Sequence, residues 1–140
     1  MPNLSLSRKQ LALAVSATAV GGFVGTFLRA WLTDFEHLPS PTASVTWPQE
    51  IPWVLLIINF VGVLLATRLL RGPLRHHDPN DLTRILVITG FFGGFTSYSG
   101  LYVDLAAIWH VCVGGGLLVA FGAIVSGVVA AWLGLLRHHR

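Results

Sequence analysis

Apolar residues along this chain gather in four long runs parted by short polar segments: Leu11 to Leu32 (22 residues), Trp53 to Leu70 (18), Ile85 to Val103 (19) and Ile108 to Leu136 (29). A hydrocarbon core about 30 Å thick is crossed by about 20 helical residues. Each run is long enough, and together they take 88 of the 140 positions. The pattern predicts an all-α membrane protein with four transmembrane helices in a single domain, residues 1–140. No internal repeat or low-complexity tract divides it. Thr33 to Pro52 holds Pro39, Pro41, Pro48 and Pro52 with Asp34, Glu36 and Glu50, the composition of an exposed loop. Arg71 to Arg84 carries Gly72, Pro73, Pro79 and Asn80 among basic residues. Between the third and fourth runs only Asp104 to Ala107 is left to turn the chain. Arg8 and Lys9 precede the first run, but 22 apolar residues exceed a signal-peptide core, and no convincing cleavage site follows. That run is expected to span the membrane.

Composition strengthens this picture. Hydrophobic residues make up 54% of the chain and charged ones 11%, against about 25% charged in soluble domains, which excludes a soluble enzyme. The net charge of +3 falls in short clusters between apolar runs rather than on one face, which argues against nucleic acid. It sets orientation instead. With four spans, Arg8, Lys9, Arg68, Arg71, Arg75, Arg84, Arg137 and Arg140 share one side, and the other has only Arg29, inside the first run. The positive-inside rule then makes both termini and the second loop cytoplasmic in a multi-pass cell-membrane protein.

The spans carry little titratable chemistry. Their one acidic residue is Asp104, at the edge of the third run. A proton-coupled pump needs an intramembrane titrating group, so the chain departs from the small multidrug exporters, which place an acid in their first helix. His37, His76, His77, His138 and His139 fall in loops or tails, and His110 has no ligand partner at metal spacing. The lone Cys112 permits no internal disulfide.

Polar and small residues are more informative. Gly21 and Gly25, and Ser126, Ala130 and Gly134, repeat at four-residue spacing, and Gly114 to Gly116 are consecutive; these read as close helix contacts. Thr89, Gly90, Gly93, Gly94, Thr96, Ser97, Tyr98, Ser99 and Gly100 crowd the third run. A helix so composed should break in mid-bilayer, freeing backbone groups that protein, water or an ion must satisfy. Asn59, seven residues into the second run, bonds another helix or a permeating species. Arg29 either snorkels to the interface or draws an anion into a vestibule.

Gly21-Gly22-Phe23-Val24-Gly25-Thr26-Phe27-Leu28-Arg29, then Asn59-Phe60-Val61-Gly62, then Gly90-Phe91-Phe92-Gly93-Gly94-Phe95-Thr96-Ser97-Tyr98-Ser99 resemble in order and spacing the Fluc (CrcB) fluoride-channel family. The resemblance covers all four helices. It implies a passive fluoride-selective channel, an antiparallel dual-pore dimer whose central sodium ion is held by backbone carbonyls of the broken third helix, here around Gly94, Thr96 and Ser97. It assigns Asn59 to the fluoride pore, with hydroxyls of Thr96, Ser97 and Ser99 and a pair of phenylalanines after the break. Arg29 falls in a vestibule. Fluoride is small, strongly hydrated and accepts hydrogen bonds, so amide and hydroxyl donors and the positive edge of an aromatic ring suit its dehydration. Hard carbonyl oxygens suit sodium.

The chain departs from the family's GGxTTFSTF segment. Gly93-Gly94-Phe95-Thr96-Ser97-Tyr98-Ser99-Gly100-Leu101 puts Tyr98 and Leu101 where the pore phenylalanines stand, and Gly100 where the family has a pore threonine. The fourth run has no tyrosine to match the family's polar track. Eight cations against one orient nearly every copy alike, whereas an antiparallel homodimer needs balanced loops. The expected assembly is a heterodimer with an oppositely oriented paralogous subunit, with a homodimer of self as the alternative. The alternatives are a non-conducting structural subunit of such a channel and a small four-helix coupled transporter.

Overall fold

The computed structural model describes residues 7–34, 51–74 and 81–136, with Tyr98, Ala107 and Val111 described by their backbone only. Most of the two expected loops, His37, His76, His77, His138 and His139 lie outside these residues. The first helix, α1 (Arg8–Asp34), starts at a reciprocal capping pair: Ser7 Oγ accepts the Gln10 N–H at 3.2 Å, and Gln10 Oε1 accepts the Ser7 N–H at 3.0 Å. Two orphan donors of the first turn are thereby satisfied. The second helix, α2 (Trp53–Arg71), spans 19 residues, about 28 Å at 1.5 Å per residue.

The third span is composite. A short turn α3 (Leu82–Arg84), started by Asp81 accepting the Thr83 N–H at 2.8 Å, leads into a π-helical stretch π1 (Ile85–Phe92) and a last turn α4 (Gly93–Phe95). Thr96 (φ −85°, ψ 121°) and Ser97 (φ −141°, ψ 114°) are extended, and helix resumes as α5 (Tyr98–Val111). The break expected among the glycines and hydroxyls is present. The eight-residue π winding before it has no counterpart in the sequence reading; such winding is rare outside single turns.

The next turn differs from expectation. Asp104 to Ala107 do not turn the chain but lie inside α5, and the turn comes at Cys112 (φ −152°, ψ 104°), before α6 (Val113–Leu135). The third span thus runs from Leu82 to His110 and the fourth from Val113 to Leu135, displacing the expected boundaries at 103 and 108. One charge does not stop a helix when Leu105, Ala106 and Ala107 after it favour one. At Cys112 the Sγ accepts the Gly115 N–H at 3.3 Å and caps α6.

The helices meet where side chains are small. α1 packs on π1 and α4, and α2 and α5 pack on α6. A Cβ on Gly21 would strike the Leu86 carbonyl oxygen, and one on Gly25 that of Phe91. These are the two buried residues of α1. In α6 the buried positions Gly116, Val119, Ala123, Ala130 and Gly134 follow helical periodicity along one face. Two apolar clusters fill the interior: Leu55, Leu101, Ile108, Val119 and Ala123 in one, and Ile58, Phe92 and Phe95 in the other.

Large apolar side chains point outward instead. Phe23, Phe27, Leu118, Phe121 and Val128 are each more than 60% exposed, the inverse of a water-soluble fold and the arrangement a lipid solvent favours. Among the described residues four helices are long and apolar enough to cross a membrane. Alternation puts the end of α2 beside the end of α6, and there Arg71 Nη1 donates to the Leu135 carbonyl. Trp31, Trp53 and Trp109 then fall toward the opposite end, where interfacial tryptophans belong.

Candidate functional site

Polar groups converge where the third span breaks. Asn59, on α2, is 5% exposed, the buried polar side chain among the described residues. Its Oδ1 accepts the Ser97 main-chain N–H at 2.9 Å, and its Nδ2 donates a longer bond to the Ser97 carbonyl at 3.5 Å. Ser97 is the N-cap residue of α5 and makes no side-chain capping bond of its own. An amide from another helix thus holds the start of α5. Because the Ser97 N–H selects the oxygen of Asn59, the NH2 is fixed in orientation, and Nδ2 carries two protons for one protein acceptor.

Gly62 sits one helical turn after Asn59 on the same face of α2. A Cβ there would collide with Thr96 Cγ2 and approach Phe95 Cδ1 to 3.2 Å. The Asn59-Phe60-Val61-Gly62 motif therefore does two things to one neighbour: the amide grips the break and the glycine clears room for it. Neither role shows in composition. The i, i+3 spacing was the signal that could have found it.

The predicted hydroxyls divide. Thr96 Oγ1 donates to the Phe92 carbonyl at 2.7 Å, and the Thr96 N–H reaches the same oxygen at 2.9 Å. Ser97 Oγ and Ser99 Oγ share a 2.7 Å hydrogen bond. The last two lie at the entrance of α5, whose Ser97 main chain is the part the Asn59 amide bonds. Leu101 is elsewhere: it is 3% exposed and packed in the cluster of Leu55, Ile108, Val119 and Ala123. Tyr98 begins α5, and its side chain lies outside the described residues.

Arg29 is half-buried on α1. Its guanidinium does not run outward; Nη1 lies against Gly100, in the first turn of α5. Gly94 faces α1, where a Cβ would strike the Gly22 carbonyl and come to 2.9 Å of Thr26 Oγ1. Thr26 Oγ1 donates to the Gly94 carbonyl at 3.4 Å, a contact the sequence reading missed.

The two halves of the span present opposite electrostatic ends. The π1–α4 half ends in carbonyls that lose their helical donors at Thr96, and α5 begins with N–H groups that lack helical acceptors. The first end favours a cation and the second an anion. Among the described residues no three His, Cys, Asp or Glu side chains gather to hold a metal, so a cation at this break would be bound by main-chain oxygens. Beside the break, a groove of about 220 Å³ opens between α2 and the π1–α4 half, lined by Gly62, Ala66, Thr67, Ile88, Gly93 and Thr96.

Comparison with known proteins places the chain in a family. A family model described as "CrcB-like protein, Camphor Resistance (CrcB)" matches residues 16–135. A Mesorhizobium japonicum protein named "Fluoride-specific ion channel FluC" is 32% identical over 120 residues, 83% of this chain and 88% of its own. A protein of the same name from Francisella tularensis strain SCHU S4 is 29% identical over 130 residues, 90% of this chain and 92% of its own. One from Stutzerimonas stutzeri is 31% identical over 123 residues, 85% and 91% respectively.

Proposed function

The chain belongs to the CrcB-like family, and we propose that it is a subunit of a passive, fluoride-specific ion channel that lowers cytoplasmic fluoride. It is a multi-pass membrane protein and not an enzyme. The observation that carries the reading is the buried Asn59 amide, fixed by its oxygen to the Ser97 N–H and keeping one Nδ2 proton for an anion at the mouth of α5. A donor held in place by the protein replaces lost water without reorganising. Ser97 and Ser99 hydroxyls lie at the same helix entrance.

The assembly is an antiparallel dimer with a sodium ion at its centre, seated on carbonyls around Gly94, Thr96 and Ser97. Two features support it. The break turns helical carbonyls loose in mid-span, which hard cations favour, and the Gly94 and Ser97 carbonyls, each accepting one side-chain donor, keep a second lone pair. The partner is an oppositely oriented paralogous subunit, because eight cytoplasmic cations against Arg29 give one sequence one orientation. Both termini are cytoplasmic on the same argument.

A second reading has its own observation: Leu101 is buried in the core of this subunit, so this chain offers no ring there, and its own pore is the silent one of the two. Liposomes loaded with fluoride and containing this chain alone, or this chain with its partner, test the function. Sodium-dependent fluoride efflux with no pH-gradient requirement is expected. Efflux that needs a pH gradient identifies a coupled transporter, and none in either case removes the channel reading.

A further inference from the structure

Arg29 is drawn into the protein at a place where its charge is poorly matched. A Cβ on Gly100 would lie 2.9 Å from Arg29 Nη1 and 3.4 Å from Leu55 Cδ2, so the guanidinium takes the volume that a side chain at position 100 would claim. Arg29 Nε is buried and has no hydrogen-bond partner among the described residues. Gly100 is the third residue of α5. The N-terminus of a helix carries positive partial charge and unpaired N–H groups. No side-chain cap from Ser97 relieves them, and its hydroxyl is engaged with Ser99. A cation set against the positive end of a helix is stabilised by an anion that both can reach.

We propose that Gly100 is a positioning residue for Arg29: lacking a side chain, it admits the guanidinium to the first turn of α5, and the pair sets how strongly this subunit draws fluoride toward the break. The inference rests on the fluoride-channel reading and deepens it. The chain's fluoride affinity then depends on a residue that itself touches no ion.

The collision at position 100 makes the idea testable. The nearest atom is the far end of a flexible side chain and not backbone, so alanine there displaces Arg29 while favouring the helix. Fluoride efflux is measured against fluoride concentration for the full-length protein, in the assembly in which it purifies, as wild type, Gly100→Ala, Arg29→Gln, Arg29→Lys and the Gly100→Ala/Arg29→Gln double variant. Gly100→Ala and Arg29→Gln should each raise the half-saturating fluoride concentration severalfold with little change at saturation. Arg29→Lys should retain part of the effect, and the double variant should be no worse than Arg29→Gln. Wild-type behaviour of Gly100→Ala, or single effects that multiply in the double variant, overturns the inference and leaves the channel reading intact. Absence of any wild-type efflux, both from this assembly and with the partner subunit added, overturns the channel reading instead. The pair is then judged by the heat-unfolding midpoint of the detergent-solubilised protein in sodium fluoride against sodium gluconate. A fluoride-dependent rise lost in both single variants supports it; no rise, or one that survives Gly100→Ala, overturns it.

Discussion

The side-chain oxygen of Asn59 accepts the Ser97 main-chain N–H at 2.9 Å, so a residue in the second span holds the N-cap of a helix 38 positions later. The same amide is the proposed fluoride donor, and substitution tests both roles. Asn59→Ala strands a buried N–H, at a cost of about 1–3 kcal/mol, and should lower the melting temperature of the purified protein. Asn59→Asp keeps an acceptor for Ser97 but loses the donors and adds negative charge. It should lose fluoride flux on the order of tenfold or more, the scale of one hydrogen bond to a charged group, and should also melt lower than wild type, because the carboxylate oxygen that replaces Nδ2 is buried against the Ser97 carbonyl. Equal flux in wild type and Asn59→Asp, with assembly intact, would leave Asn59 as a cap alone.

Much of this arrangement was legible in the chain. Four apolar runs and the glycine-rich middle of the third gave the spans and the break, because membrane helices leave their length and their interruptions in sequence. The turn at Cys112 was not legible: Asp104 looked like a boundary, yet its neighbours favour helix, and the actual turn is made by a cysteine with no breaker beside it. The division of the hydroxyls also escaped, since whether Thr96 bonds the Phe92 carbonyl or faces an ion depends on backbone torsions at two positions. Leu101 could be placed by alignment but not by burial, because an apolar residue in an apolar run gives no sign of which face it takes.

Glycines of the first span should divide sharply from those of the last. Gly21→Ala and Gly25→Ala push a methyl into carbonyl oxygens of π1, where backbone must move. Loss of folded protein, or a drop of about 1–3 kcal/mol as for overpacked cores, is expected. At Gly122 nothing lies within 4 Å of a Cβ, so Gly122→Ala should be neutral or stabilising by up to about 1 kcal/mol. Thermal unfolding in detergent reads both.

Gly93 and Gly94 are adjacent but should fail differently. Gly94 is pressed onto Gly22, while nothing in this chain lies within 4 Å of a Cβ at Gly93. Gly94→Leu should therefore prevent the subunit from folding. Gly93→Leu should leave a folded subunit that no longer pairs, since position 93 borders the open groove beside the break. Size-exclusion chromatography with light scattering distinguishes them; a Gly93→Leu protein that still forms the wild-type oligomer would place the dimer interface away from this groove.

Orientation can be read directly. In a Cys112→Ala background, single cysteines at Asp34 and at Leu82, the latter 41% exposed, should react with a membrane-impermeant maleimide from opposite sides. Asp34→Cys should label in intact cells and Leu82→Cys after lysis alone, following the eight-to-one distribution of cations. Equal labelling of both sites in intact cells would show dual insertion and remove the argument for a paralogous partner.

If this chain's pore is the silent one, as the second reading has it, restoring the aromatic pair should not restore it. Leu101 is 3% exposed and packed with Leu55, Ile108, Val119 and Ala123, so Leu101→Phe adds volume to a filled interior, costing about 1–3 kcal/mol. An aliphatic side chain in turn offers no positive ring edge or polar donor to a dehydrating anion. The flux changes expected for Asn59→Asp, Gly100→Ala and Arg29→Gln belong to the first reading, in which this chain's own pore conducts, whereas on the second reading position 101 serves the core here and ion passage falls to the partner's aromatic residues. With the partner's pair of phenylalanines mutated and this chain intact, the complex should lose nearly all fluoride flux. Tyr98→Leu in this chain, with the partner intact, should leave most of it. The reverse result, with flux surviving the first change and vanishing with the second, would make this chain's pore the conducting one and assign its core leucine no part in selecting which half is silent.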